Sequence, residues 1–312
     1  MYDVVGVGEV LIDFSSYGLG PMGNPGFEMN PGGAPANCLA ANARLGGKCA
    51  FIGTVGEDFF GCFLKQELSK IGIDTRGVLC VPEATTIDFV SNREDGERDF
   101  AFFRSPGADT RLTEKGLEGD WWLQTKILHF GTLSFTDEPS SSTVWKLVNR
   151  AKKQGIKISF DPNYRENLWD TPEKARAVMW RGAEQCDILK LSGEEMQLMF
   201  ESETVRPEEA IKELLKKGIS YVFITLGSEG AWFGTQEEQG FCKSFSVKAV
   251  DTTGCGDAFV GAMHYLLLYH PEMPIRQKTR FANGTAALCA MGKTGFPSMP
   301  EKKQVEEFIE RS

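Results

Sequence analysis

Short apolar runs alternate with amphipathic stretches along most of the chain. Runs at residues 4–8, 50–54, 127–130, 156–160, 188–191 and 221–226 are rich in Val, Ile, Phe and Leu and bounded by Gly, Asp or Pro. Strands buried on both faces read this way. Between them, residues 59–71, 141–154, 172–183 and 207–217 place apolar residues at helical spacing. In the last of these Ile211, Leu214 and Leu215 share one face, Lys and Glu the other, and Gly218 closes the helix. Strand followed by helix, repeated, predicts a mainly parallel sheet with helices on both sides.

Two regions break the rhythm. Residues 14–31 are rich in Gly, Pro and Met without periodicity. Residues 85–104 contain Thr-Thr-Ile-Asp-Phe-Val, the turn Glu94-Asp95-Gly96-Glu97 and Asp-Phe-Ala-Phe-Phe, which predicts a β-hairpin. Inserted among strand–helix units, a hairpin fits poorly inside a parallel sheet. We therefore expect one α/β domain over residues 1–312 with a small separate sheet, built from segments near 14–31 and 85–104, serving as a lid. In such folds the ligand crevice lies at the carboxyl ends of the strands, where a lid can close.

With 312 residues, 41% hydrophobic and 25% charged, the chain can bury a large core, which excludes collagen-like, disordered and disulfide-framework classes. Its 34 basic and 43 acidic residues give a net charge of −9 with no long like-charged block, which argues against nucleic acid or an anionic membrane as partner. Small anions remain open, because backbone amides bind phosphate inside acidic proteins. Eight scattered cysteines without a CxxC pair read as free thiols of a reducing compartment. A basic leader is lacking, the apolar stretch at 258–269 is too short to span a bilayer, and a cytoplasmic location is expected.

Gly6-Val-Gly8 suggests a dinucleotide fingerprint, but Leu11 stands where the third glycine belongs. Residues 8–13 read instead as a strand ending at Asp13, either an acidic site residue or a solvated turn. Gly32-Gly33-Ala-Pro-Ala-Asn37 leads into a helical pattern at 38–45. Paired glycines admit a polar ligand to the backbone, and Asn37 offers a donor and an acceptor near the helix start, which suits a polyol, although a tight turn accounts for both. Asp58, near the start of the next helical pattern, reads as structural. The segment Asp251-Thr-Thr253-Gly254-Cys255-Gly256-Asp257 runs into an apolar helix, so unpaired N–H groups and the positive end of the helix dipole converge in an anion site. Asp257 beside it is either a helix cap or a base for an attacking hydroxyl.

These two segments resemble the two signatures of the ribokinase-like (PfkB) sugar kinases, in order and over the whole chain. Gly8-Glu-Val-Leu-Ile-Asp13, Phe103-Arg104-Ser-Pro-Gly-Ala-Asp109 and Asp161-Pro-Asn163-Tyr-Arg165-Glu-Asn-Leu-Trp169 are most similar to fructokinase segments, with similar ones in 2-keto-3-deoxygluconate kinases. The resemblance implies a three-layer ribokinase-like α/β fold and a kinase using ATP and Mg2+, with K+ as a further cofactor, on fructose. It implies Asp257 as general base, Gly254, Cys255 and Gly256 as anion hole, and Asp13, Gly32, Gly33 and Asn37, with Arg104 from the lid, as sugar contacts. Arg165 and Lys190 fall with the phosphates, Thr225, Gly227 and Gly230 in the nucleotide loop, and Asn283 in the adenine pocket. For K+ the resemblance points to Asp251 and Thr253, and to Gly295 and Ser298. The family's Asn-x-x-Glu near magnesium departs here: Glu195 is present but Ser192 replaces the Asn, and a hydroxyl still bonds a phosphate oxygen or metal-bound water.

His129 reads as a satisfied core histidine, and Trp121, Trp122, Met196 and Met199 as packing. The expected reaction is fructose plus MgATP to fructose 6-phosphate and ADP. The rivals are the same chemistry on 2-keto-3-deoxygluconate, another kinase of the family, or a catalytically silent sugar-binding protein. Phe100, Phe102 and Phe103 in the hairpin suggest a homodimer formed through the lid.

Overall fold

The computed structural model describes residues 1–92, 98–117, 119–293 and 295–312, so the predicted turn at 94–97 lies outside the described residues. In chain order the first half forms β1 (Tyr2–Val7), β2 (Leu11–Leu19), β3 (Pro25–Gly32), α1 (Ala34–Arg44), β4 (Cys49–Gly56), α2 (Phe59–Lys70), β5 (Asp74–Val81), β6 (Ile87–Asn92), β7 (Arg98–Phe103), β8 (Thr125–Phe130) and α3 (Ser140–Lys153). The second half adds β9 (Lys157–Phe160), α4 (Pro172–Gln185), β10 (Ile188–Ser192), α5 (Gly193–Phe200), α6 (Pro207–Lys216), β11 (Tyr221–Thr225), β12 (Gly230–Gly234), β13 (Gln239–Lys243), α7 (Cys255–Tyr269), α8 (Ile275–Ala290) and α9 (Lys302–Arg311).

Nine strands make the main sheet in the order β13-β12-β11-β10-β9-β8-β1-β4-β5, parallel except for β12 and β13 at one edge. Successive side chains of a strand point to opposite faces, and β1 shows it: Val4 enters one core, Val5 and Val7 the other. Helices α1, α7 and α8 cover the first face, and α3 to α6 the second. Gly6 lets α1 sit close, since a Cβ there would lie 2.9 Å from Leu39 Cδ1. Asp58 caps α2 by accepting from Gly61 N at 2.8 Å and also binds Thr85 N and Oγ1, each at 2.8 Å, so its role is structural.

The four-stranded second sheet has the order β3-β2-β6-β7. Residues 14–31 are therefore two strands, where the sequence shows no periodicity; their outer halves are exposed, so no apolar stripe is required of them. Asp13 is the third residue of β2 rather than a strand end, which corrects the expectation. Register places Asp13 beside Asn30 and Asp88, and Asp88 beside Phe102, in one row across the sheet. One face of this sheet thus turns a row of polar groups toward the carboxyl ends of the main strands.

Candidate active site

Between the two sheets lies a cavity of about 290 Å³, lined by Glu9, Asp13, Gly33, Asn37, Asp88, Asn163, Arg165, Lys190, Ser192, Glu195, Gly254, Gly256 and Asp257 among others. Glu9, Asn163, Arg165 and Ser192 stand at or just beyond the carboxyl ends of β1, β9 and β10. This is where parallel α/β sheets hold ligands.

One wall is the start of α7. Gly254 caps it in the left-handed region at φ 82°, turning the chain sharply into the helix. The first N–H groups of a helix lack intrahelical partners, so Gly256 and Asp257 present donors to the cavity. Lys190 reaches the same point: a Cβ on Gly256 would lie 3.0 Å from its Nζ. Burial alone would drive the proton from Lys190, but Asp161 at 3.2 Å and Glu195 at 3.9 Å, together with Asp257, hold its affinity above the usual lysine range. An ammonium and a helix N-terminus therefore face one spot.

Asp257 is buried and accepts from Asn37 Nδ2 and Asn163 Nδ2, each at 3.0 Å. Burial raises its pKa above the ordinary carboxylate value, while the Asn37 bond and the charges of Lys190 and Arg165 pull the other way. Ser192 caps α5: its Oγ accepts from Glu195 N at 3.1 Å, and Glu195 Oε2 accepts from Ser192 N at 2.6 Å. Glu195 Oε1 accepts from Tyr164 N at 2.9 Å. The box fixes Glu195 at the cavity wall and leaves the Ser192 hydroxyl proton to donate.

The opposite wall is carboxyl-rich. Burial, then the neighbouring Asp88 carboxylate, push Asp13 up to about 8; burial likewise raises Glu9 to about 7 and Asp88 to about 6. Gly33 is obligatory on two counts: its φ is 105°, and a Cβ would meet Glu9 O at 2.5 Å. The space a Gly32 side chain would fill is taken by Asp13, whose Oδ2 would be 2.1 Å from that Cβ. Gly32 therefore makes room for Asp13 and is not among the cavity-lining residues.

A family model described as pfkB family carbohydrate kinase matches residues 1–301. The chain belongs to the pfkB family of carbohydrate kinases. This kinase is 36% identical over 315 residues to fructokinase-1 of Oryza sativa subsp. japonica, covering 98% of this chain and 97% of that one. The fold is the ribokinase-like α/β fold. Among solved structures, fructokinase from Xylella fastidiosa with bound ATP aligns at a TM-score of 0.89 and 30% identity over 100% of this chain and 99% of that one. A fructokinase double mutant from Vibrio cholerae O395, in a form binding fructose, ADP and potassium ion, aligns at 0.88 and 31% over 99% and 98%.

Most other candidate residues of this pfkB kinase lie elsewhere, Thr253 alone among those that follow lining the cavity. Arg104 is not among the cavity-lining residues; its buried guanidinium bonds Asp109 Oδ2 at 2.5 and 2.8 Å, Thr136 Oγ1 at 2.6 Å and Leu133 O at 2.9 Å. Arg104→Leu is expected to lower stability by about 3–5 kcal/mol by stranding Asp109, while the KM for sugar shifts less than threefold; calorimetry beside steady-state kinetics checks both. Thr225, Gly227 and Gly230 form the tight turn between β11 and β12, where Leu226 N donates to Gly230 O at 2.8 Å. Asn283 is buried in α8 and donates to Cys242 O at 3.0 Å, tying α8 to β13. The potassium candidates converge around Cys289, whose Sγ is 3.9 Å from Thr253 O and 3.2 Å from Ser298 Oγ; Ser298 Oγ donates to Gly295 O at 2.8 Å, and Asp251 Oδ1 accepts from Thr253 N at 2.8 Å. Cys255 opens α7, partly exposed, and its thiol makes a hydrogen bond with that of Cys289.

His129 is a core histidine, as expected. Its Nδ1 lies 3.1 Å from Ser159 Oγ, which is 2.7 Å from His264 Nε2, and His264 Nδ1 is 3.6 Å from Cys38 Sγ. Burial pushes His129 down to about 3 and His264 well below its usual value, keeping both rings neutral. All eight cysteines are free. Among the described residues no helix is long and apolar enough to cross a membrane.

Proposed function

We propose that this pfkB-family kinase transfers the γ-phosphoryl group of ATP to the 6-hydroxyl of fructose, giving fructose 6-phosphate and ADP. The observation that carries this reading is Asp257, a buried carboxylate at the open N-terminus of a 15-residue helix, beside Lys190 and hydrogen-bonded to Asn37, with the Asp13 and Asp88 side chains on the opposite cavity wall. Asp13, Gly33 and Asn37 hold sugar hydroxyls. Asp257 takes the proton of the attacking hydroxyl, its raised proton affinity suiting a base that must accept one during transfer. The amides of Gly254, Gly256 and Asp257 and the Lys190 ammonium stabilise charge on the transferring group, with Arg165 also lining the cavity; the Cys255 amide, expected in this set, donates to Thr252 O at 3.3 Å and must turn from it to join them.

Magnesium would be held through water by Glu195 with the Ser192 hydroxyl, a hard oxygen donor set that fits it, and supplies neutralisation of phosphate charge. Potassium fits the oxygens of the loop at Asp251 and Thr253 with those near Gly295 and Ser298. Thr225, Gly227, Gly230 and Asn283 line the nucleotide end in this reading. The four-stranded sheet acts as lid, and Tyr17, Leu19, Phe27 and Phe103, exposed on it, offer a second copy of the chain an apolar contact.

A coupled ADP-release assay across fructose, 2-keto-3-deoxygluconate, ribose and adenosine, with and without K+, tests the proposal. Fructose is expected to give a kcat/KM at least about tenfold above the others, the discrimination a single well-placed polar contact supplies. ADP release with none of them would point instead to a silent sugar-binding protein.

A further inference from the structure

Three side chains that line the cavity each carry a buried acceptor atom without a hydrogen-bond partner among the described residues: Glu9 Oε2, Asn37 Oδ1 and Asp88 Oδ1. Each belongs to a side chain more than nine-tenths buried. A buried polar atom left unpaired costs about 1–3 kcal/mol, and folded proteins rarely carry three around one small space without a use for them. All three accept, so the molecule that satisfies them must bring donors.

We propose that Glu9 and Asp88 bind sugar hydroxyls directly and that, with Asp13, they make this site select an uncharged polyol and reject a sugar acid. The inference deepens the kinase reading above and rests on it. Asp13 and Asp88 stand side by side in the second sheet, and Glu9 follows β1. Glu9 Oε1 is already fixed by Ala34 N at 3.0 Å, which leaves Oε2 as the unpaired oxygen of this cavity-lining side chain. A hydroxyl donates to such atoms, whereas a carboxylate of the ligand brings only acceptors and a like charge. The cation that would be needed is committed elsewhere: Arg104 is locked on Asp109, and Arg165 is shared electrostatically among Asp13, Asp88 and Asp257. Burial raises the proton affinities of Glu9, Asp13 and Asp88, and at Asp13 the neighbouring Asp88 carboxylate adds to it.

The test uses Glu9→Gln and Asp88→Asn, each of which preserves shape while removing charge. Hydrogen bonds to charged groups are worth about 1.5–3 kcal/mol, so each variant should raise the KM for fructose roughly 10-fold or more, with kcat within threefold and the KM for ATP unchanged. Activity on 2-keto-3-deoxygluconate should move the other way, rising as negative charge leaves the wall. A merely structural role would shift both sugars in the same direction, and that result overturns the proposal, as does a wild-type enzyme that uses the sugar acid as well as it uses fructose. Titration calorimetry of each sugar without ATP keeps the two readings apart. Fructose binding weakened in both variants, with no phosphorylation of any sugar, would sink the kinase reading and leave this one standing. Turnover of fructose with binding unaltered in both variants would do the reverse.

Discussion

Asp257→Asn is expected to cut kcat by about two to four orders of magnitude, the usual worth of a positioned base, while sugar affinity falls less than tenfold. The asparagine keeps the shape but turns an NH2 group toward Asn37 or Asn163, both of which donate to the aspartate. Asn37 can relieve this by rotating its amide, which presents Nδ2 in place of the unpartnered Oδ1 and accounts for a modest loss of sugar affinity. Binding therefore survives where proton transfer does not. In the wild type the base must be ionised to act, and burial raises its proton affinity, so kcat/KM should fall as pH drops toward and below that raised pKa. The acid limb should vanish in the variant; a variant with near-normal turnover, or with the limb intact, refutes the assignment.

Lys190→Met should damage stability and catalysis together. The ammonium is buried and answers Asp161 and Glu195, also buried, and removing one partner of such a cluster costs about 3–5 kcal/mol. At about 2–4 °C per kcal/mol, less for larger chains, the melting temperature should drop by roughly 5–10 °C. Turnover should fall by about 10²–10³, as when one preorganised donor is removed from a transition state. The stability penalty arises from an uncompensated carboxylate at Asp161, so it should shrink as pH falls and that group takes up a proton. Differential scanning calorimetry between pH 8 and 5 reads this directly, and a pH-independent penalty would mean that lost packing, not charge, is responsible.

The central sheet was legible because a strand buried on both faces must be apolar throughout, and six such runs stand out. Three strands toward the sheet's edges were not: β12 and β13 are short and interrupted by glycine, and β5, at the opposite edge, is polar and partly exposed over its first half. The start of α7 could be read from Gly254, Cys255 and Gly256 because an anion site made of backbone amides depends on local sequence alone. Asp88 could not: nothing near it in sequence marks it, and only strand register sets it beside Asp13. Asn163 was visible inside its segment, but its bond to Asp257 spans 94 residues. Arg104 illustrates the opposite error, since a cation next to the lid looked available until Asp109, five residues on, was found to hold it. The glycines at 227 and 230 make a turn that any β-hairpin needs, so their presence alone does not distinguish a nucleotide loop.

The burial of α7 has a consequence for how the site comes apart. From Asp257 to Leu266 every residue of this helix is buried, between the sheet and its neighbours α1 and α8, so its amides open only with much of the molecule. Asp13 and Asp88 sit on a four-stranded sheet whose outer strand segments are exposed, and such elements open at lower free energy. The two halves of the site therefore belong to cooperative units of unequal stability: the half at the start of α7, proposed to handle phosphate, stays assembled while the half on the second sheet, proposed to handle sugar, opens and recloses many times. Amide exchange would see the cavity as a seam, slow on one side and fast on the other, and a bound sugar, by bridging the seam, would slow the fast side most.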